Sequence, residues 1–391
     1  MADGEADAEI DAAAAPQRAS LGCSELLTEL LVSEWDQLRL SLDATADGFF
    51  VLASSRAGGC ELRELDGDGE LVLERPIECG GMFVAEDRKL LLTGDLGLWV
   101  GTVDDGGDWV STDFRVFSNG TGSGKLARMG FDSVAIPQPE GLIARVSWEG
   151  EVTGTYDVTL GLNVTGLGGP ASVAWSGSVL GVAFRQFVEP GFTTTDRVYF
   201  QRFDENLEPL DLEPQFVAEL SWDEDRQRLD ERSPVLVGWD GSEFGVVVTW
   251  NEGWGDWGEP AVTDVFRFDE DGQALGSFQV DRPAFDAYTG DQLHGIFETS
   301  DRLVVMSDAD YYVPDDAGQP DVEWRGLHLA PIDLATGERA GEDARLWNGW
   351  RVAPMARSGN RLGIVWTDRE YTDEARTEWI EHLMFTVLDC P

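Results

Sequence analysis

After Leu38 the chain alternates short apolar runs with small polar clusters. Runs of Val, Leu, Phe and Trp are broken by Gly, Asp and Asn every few residues, the pattern of strands joined by tight turns. Helical periodicity shows only near the N-terminus, where Leu26, Leu27, Leu30, Leu31 and Trp35 fit a period of 3.6 as well as they fit a strand. Three segments align with one another: SVAWSGSVLGVAFRQ (Ser172–Gln186), VLVGWDGSEFGVVVTW (Val235–Trp250) and APMARSGNRLGIVWTD (Ala353–Asp368). Each reads as strand, small-residue turn, strand. The turns carry Gly177, Gly241 and Gly359, and a second glycine (Gly181, Gly245, Gly363) opens the strand that follows. A degenerate copy, FETSDRLVVMSD (Phe297–Asp308), stands midway between the last two.

Weaker copies precede these, with turns read at Asp47-Gly48, Glu86-Asp87 and Pro139-Glu140-Gly141. A second hairpin follows many first ones, turning at Asp66–Gly69, Asp204–Asn206, Asp269–Gly272 and Asp333–Gly337, where Asp, Asn and Gly supply the turn geometry. The unit is therefore four strands, A-B-C-D. Seven antiparallel copies of it predict an all-β, seven-bladed β-propeller over residues 23–391, preceded by an acidic, Ala-rich spacer over 1–22. The last copy ends as its C–D turn begins, so its D strand is missing. TELLVSEWD (Thr28–Asp36) is free to supply it and so to cover two exposed sheet edges.

The motif apolar-x-Trp-x-Gly, a Gly-led apolar strand, then apolar-Asp-x-x-Gly resembles the repeats of secreted bacterial β-propellers, in particular the lipoprotein-like ones of myxobacteria. The resemblance spans roughly Leu26 to Cys390 and implies a periplasmic, cell-surface or secreted protein; no catalytic residue travels with it. The opening residues are acidic and small, like the spacer that follows a removed signal or lipid anchor, which leaves room for a lipid anchor on the native N-terminus; a native cytoplasmic tail is the alternative.

Composition sharpens the compartment and the partners. The formal net charge is −46 over 391 residues, with 74 acidic and 28 basic side chains, which excludes nucleic acid as a natural partner. Only Lys89 and Lys125 are lysines. That balance fits a salt-adapted bacterium, although a GC-rich genome alone would produce it. No apolar stretch approaches the ~20 residues of a membrane span. The four cysteines form no C-x-x-C pair, so a zinc site is disfavoured. Two disulfides are expected instead, Cys23 with Cys390 across the chain ends and Cys60 with Cys79 across the first C–D hairpin; four buried thiols are the alternative.

Chemistry-bearing motifs are sparse. NGTGSGKL (Asn119–Leu126) lacks the first glycine of a phosphate loop and the hydroxyl residue that would hold magnesium, and reads as a loop between blades. Asp66–Gly69 lacks the twelfth-position glutamate of a calcium loop and reads as a turn. No resident cofactor is expected. What stands out is the B–C connection, long in the last four copies: Arg185–Arg197, Asn251–Asp264, Asp308–Trp324 and Thr367–Trp379. All B–C connections of a propeller emerge on one face. Trp254, Trp257, Tyr311 and Tyr312 there are candidate ligand-binding aromatics, able to stack on sugar rings or anchor a protein. Asp308, Asp310, Asp315 and Asp316 are candidate calcium ligands. The expected function is binding or scaffolding of a protein or glycan. A glycan hydrolase or lyase using loop carboxylates is the first alternative, and a structural surface protein the second.

Overall fold

The computed structural model describes residues 24–32, 35–55, 59–77, 81–84, 89–94, 97–103, 109–115, 127–130, 133–137, 141–149, 151–159, 171–188, 195–221, 235–251, 261–280, 292–298, 303–314, 320–332, 344–346, 349–371 and 379–389. These residues form 28 strands, and no helix occurs among them. After β1 (Ser24–Val32) the strands group in fours by hydrogen bonding. Sheet I holds β2 (Trp35–Ala44), β3 (Gly48–Ser55), β4 (Cys60–Asp66) and β5 (Leu71–Ile77). Sheet II holds β6 (Gly81–Val84), β7 (Lys89–Gly94), β8 (Gly97–Val103) and β9 (Trp109–Arg115). Sheet III holds β10 (Ala127–Met129), β11 (Ser133–Pro137), β12 (Leu142–Ser147) and β13 (Val152–Asp157). Sheet IV holds β14 (Ser172–Trp175), β15 (Leu180–Val188), β16 (Thr195–Phe203) and β17 (Gln215–Ser221). Sheet V holds β18 (Leu236–Trp239), β19 (Glu243–Asn251), β20 (Ala261–Asp269) and β21 (Ala274–Gln279). Sheet VI holds β22 (Gln292–Glu298), β23 (Leu303–Pro314), β24 (Pro320–Ile332) and β25 (Ala344–Leu346). Sheet VII holds β26 (Gly349–Ser358), β27 (Arg361–Tyr371) and β28 (Trp379–Asp389), with β1 as its fourth strand.

Sheets I to VI are plain antiparallel meanders, sheet VII takes its fourth strand from the N-terminal segment, and the sheets are arranged as a β-propeller. Their first strands pack on one another: β2 on β6, β10 on β14, β14 on β18, β18 on β22, β22 on β26, and β26 back on β2. That places the first strands nearest the axis and the fourth strands at the rim. Burial follows. The centre of β3 and β15 is fully enclosed, whereas β5 and β21 are mostly exposed.

Turn chemistry explains where the strands stop. At the A–B turns the Ser176 Oγ accepts the Val179 N–H (2.9 Å) and the Asp240 Oδ1 accepts the Glu243 N–H (2.7 Å). At the C–D turns the Asp66 Oδ1 accepts the N–H groups of Asp68 and Glu70, and the Asp204 Oδ1 those of Asn206 and Glu208. The Asp66–Gly69 segment, read as a turn in the sequence, is a side-chain-capped turn. Its third following residue takes a left-handed backbone: Gly69 at φ 92°, Gly272 at φ 80° and, in sheet IV, Leu207 at φ 64°.

The N-terminal segment is a strand and not a helix. Ser24 pairs with Asp389 and Val32 with Leu383, so β1 completes the last sheet. It is shifted from the expected Thr28–Asp36, because Trp35 and Asp36 already belong to β2. One copy was mis-phased. The turn at Pro139-Glu140-Gly141 joins β11 to β12, the second and third strands of sheet III, and not its first two. The true first strand, β10, has three residues and is too short to leave a pattern.

Candidate functional site

The seams between sheets are built from repeated residues. Gly181 opens β15 at a point where a Cβ would lie 2.7 Å from the Phe244 ring of sheet V and 3.0 Å from Phe200. Gly363 does the same in β27, 2.7 Å from Phe49 of sheet I and 3.0 Å from Phe385. The ring pairs match as well, with Phe200–Phe244 centroids 5.5 Å apart and Phe49–Phe385 centroids 5.4 Å apart. Sheet VII therefore meets sheet I through the same wedge by which sheet IV meets sheet V.

Polar latches accompany the wedges. Ser176 and Ser178, in the A–B turn of sheet IV, donate to the Glu270 carboxylate in the C–D turn of sheet V. These bonds, from Ser176 first and then Ser178, hold Glu270 below the usual glutamate range. At the other seam Arg361 donates to Asp68 at 3.1 Å.

A charge pair that sequence reasoning missed ties three sheets near the axis. The Asp43 Oδ2 on β2 accepts the Val84 N–H of β6 (2.7 Å) and the Arg128 Nη2 of β10 (2.8 Å). Its Oδ1 accepts the Ala44 N–H, and Arg128 also donates to the Ala44 carbonyl. Burial pushes the Asp43 carboxyl above 3.8 and outweighs the opposing Arg128 charge and backbone N–H bonds. Protein atoms packed around it impose that penalty, since its side chain keeps 18% exposure and Arg128 32%. Both carboxylate oxygens are occupied by donors, so this group works as a joint between sheets. Asp43 and Arg128 stand 85 residues apart, and no local motif marks either.

The B–C connections expected as long loops begin and end in paired strand: Arg185–Val188 and Thr195–Arg197, Asn251 and Ala261–Asp264, Asp308–Pro314 and Pro320–Trp324, Thr367–Tyr371 and Trp379; residues 189–194, 252–260, 315–319 and 372–378 lie outside the described residues. β15 and β16 have 9 residues each, β19 and β20 likewise 9, β23 and β24 have 12 and 13, and β27 and β28 have 11 each. The same strands in sheet II have 6 and 7 residues, and in sheet III 5 and 6. At ~3.3 Å per residue, the six extra residues of β23 over β7 lift its tip by about 20 Å.

The candidate residues distribute unevenly over these hairpins. Asp308, Asp310, Tyr311 and Tyr312 lie within β23, with Asp310 paired to Arg325 and Tyr311 to Trp324. Trp254, Trp257, Asp315 and Asp316 lie outside the described residues, as does the whole of NGTGSGKL between β9 and β10. Among the described residues no three His, Cys, Asp or Glu side chains converge on a metal position. Cys60, buried at the start of β4, is disulfide-bonded; Cys23, Cys79 and Cys390 lie outside the described residues, so neither expected pairing is described. No helix among the described residues is long and apolar enough to cross a membrane.

No protein-family model matches the chain, and no curated protein matches it.

Proposed function

We propose that the protein is an extracytoplasmic binding or scaffold propeller whose seven sheets close into one ring. It engages a protein or glycan through the tall B–C hairpins of sheets IV to VII. The observation that carries this reading is the asymmetry in strand length. Paired strands of 9 to 13 residues rise from four consecutive sheets, while those of sheets II and III stay at 5 to 7. Growing hairpins as ladder-paired strands keeps their backbone bonds satisfied and gives a stiff surface, which lowers the ordering cost of binding. Closure of the ring is supported by the wedge shared between the VII/I and IV/V seams.

The compartment rests on the resemblance to secreted bacterial propellers and on the cysteines. Cys60 stands opposite Ile77 in the β4–β5 ladder, two residues before Cys79, which favours a Cys60–Cys79 bond. The acidic surface suits a high-salt medium, where screening shortens the reach of repulsion to ~3 Å at 1 M.

The test compares the full chain with a variant in which residues 309–325 of the β23–β24 hairpin are replaced by Asn-Gly. Both are applied to a glycan array and to an immobilised extract of bacterial envelope proteins. Binding by the full chain that the variant loses, with a melting temperature within a few degrees of the parent, is the expected result. Equal binding by both, or no binding by either, overturns the reading.

A further inference from the structure

The C–D turns of sheets I, III and V leave four residues between strands: 67–70, 148–151 and 270–273. In sheet IV the interval is 204–214. Its first part makes the ordinary capped turn, with the Asp204 N–H donating to the Glu208 carbonyl and the Leu207 N–H to the Asp204 carbonyl. The remainder, Pro209–Pro214 (PLDLEP), is an insertion that no other described C–D turn carries.

This insertion is built to hold still. Arg202 grips Asp211 with a two-pronged ion pair, Nη2 to Oδ1 at 2.6 Å and Nε to Oδ2 at 3.1 Å, and the Arg202 N–H adds a third bond to Oδ2. The two side chains keep only 11% and 13% exposure. The Leu210 N–H donates to the Arg202 carbonyl, and Phe203 bridges Pro209. Sheet V braces the assembly, because Arg202 Nη1 donates to the Glu270 carbonyl and Gln215 Nε2 to the Gly272 carbonyl. A proline at each end narrows the backbone further.

The braced segment nevertheless turns its apolar groups outward. Leu212 is 105% exposed, Leu210 48% and the nearby Phe216 56%. Leu207, one turn earlier, is buried, so this stretch has inward positions for a leucine and does not use them for these two. Glu205, Glu208 and Glu213 are exposed beside them, whereas the charge of Asp211 is already answered by Arg202. An immobilised apolar knob in an acidic setting calls for a socket of opposite charge. A second copy, with its own net charge of −46, and an anionic membrane are both disfavoured.

We propose that the Pro209–Pro214 knob is a docking element for a basic protein segment with apolar side chains, received by Leu210, Leu212 and Phe216. It sits at the C–D end of the sheets, away from the B–C hairpins, and so constitutes a second binding surface. Its rigidity removes the ordering cost that a loop of this composition would otherwise impose on binding.

The experiment selects a phage-displayed library of random peptides, about 12 residues long, against the full chain. It then measures the enriched peptides by fluorescence anisotropy on the parent, on the double variant Leu210→Ser/Leu212→Ser, and on Arg202→Lys. Enriched peptides should combine Arg or Lys with Leu, Phe or Trp. They should bind the double variant at least about tenfold more weakly at an unchanged melting temperature, and should weaken as salt rises. Arg202→Lys keeps the charge and loses the fork, so a loss of a few fold is expected there. Three results overturn the proposal: peptides that bind parent and double variant equally, enrichment without basic residues, or leucine-dependent dimers in sedimentation or adsorption to zwitterionic vesicles.

Discussion

Two seams of this propeller can be laid side by side. Sheets IV and V are joined by continuous chain, whereas sheets VII and I are joined where the chain's two ends meet. The apolar wedge is the same in both: an opening glycine, a phenylalanine from the next sheet over it, and a second phenylalanine beneath. The polar latch is not. One seam uses two serines on Glu270, and the other an exposed Arg361–Asp68 pair. Shape therefore sets the angle between sheets, and the polar contacts above it can be exchanged. The exposed ion pair is worth at most about 1 kcal/mol, well below the packing of a buried ring.

The strongest way to break this comparison is to empty the wedge. Phe49→Ala and Phe244→Ala should each cost about 3–5 kcal/mol, measured by denaturant unfolding. The two values should agree, since both rings are fully buried. A cost at Phe49 well below that at Phe244 would show that the chain ends form a weaker seam.

Overfilling the wedge should cost less. A methyl group at Gly181 or Gly363 would lie 2.7 Å from a ring atom of the facing phenylalanine, so Gly181→Ala and Gly363→Ala should each destabilise by about 1–3 kcal/mol. Pairing each with the matching Phe→Leu should recover part of the loss in a double-mutant cycle, and no recovery would separate the glycine from the ring.

The smallest effects lie in the latches and appear as pH dependence. Glu270 is held below its ordinary 4.5 in the folded chain, so its contribution is present above that value and fades as pH falls. Glu270→Gln should flatten this acid-side loss at the IV/V seam only. Asp43 has the opposite sign. Its folded pKa is raised above 3.8, so protonation favours the fold and stability declines as pH rises through the folded value. Asp43→Asn should remove that decline. Melting temperatures between pH 3 and 8 would check both, and parallel curves for parent and variants would refute the assignments.

Much of the architecture was legible because tight turns demand particular residues. Gly177, Gly241, Asp66, Asp204 and Asp269 mark their turns through backbone geometry and side-chain caps that depend only on neighbours in the chain. Sheet III was mis-phased because Gly141 resembles an A–B glycine while its own three-residue first strand leaves no alternation to read. DADYYVPDD carries too many carboxylates to look like a strand, yet Asp308–Pro314 is paired with β24; there the ladder with Pro320–Ile332 overrides local preference. Asp43 and Arg128 had no local signature, because the pair exists only once three sheets surround the axis.

The strand at the very start of the sequence also dictates when the molecule can be finished. β1 finds its hydrogen-bonding partner in β28, so residues 24–32 must wait for 379–389 before either is covered. At about 5–20 residues per second, a ribosome takes roughly 20–80 s to reach the end of 391 residues. Through that interval the earliest strand is held open with no place to pair. The β1–β28 pairing therefore follows synthesis of the strands of sheets I to VI, and without β28 both β1 and β27 are left with an open edge.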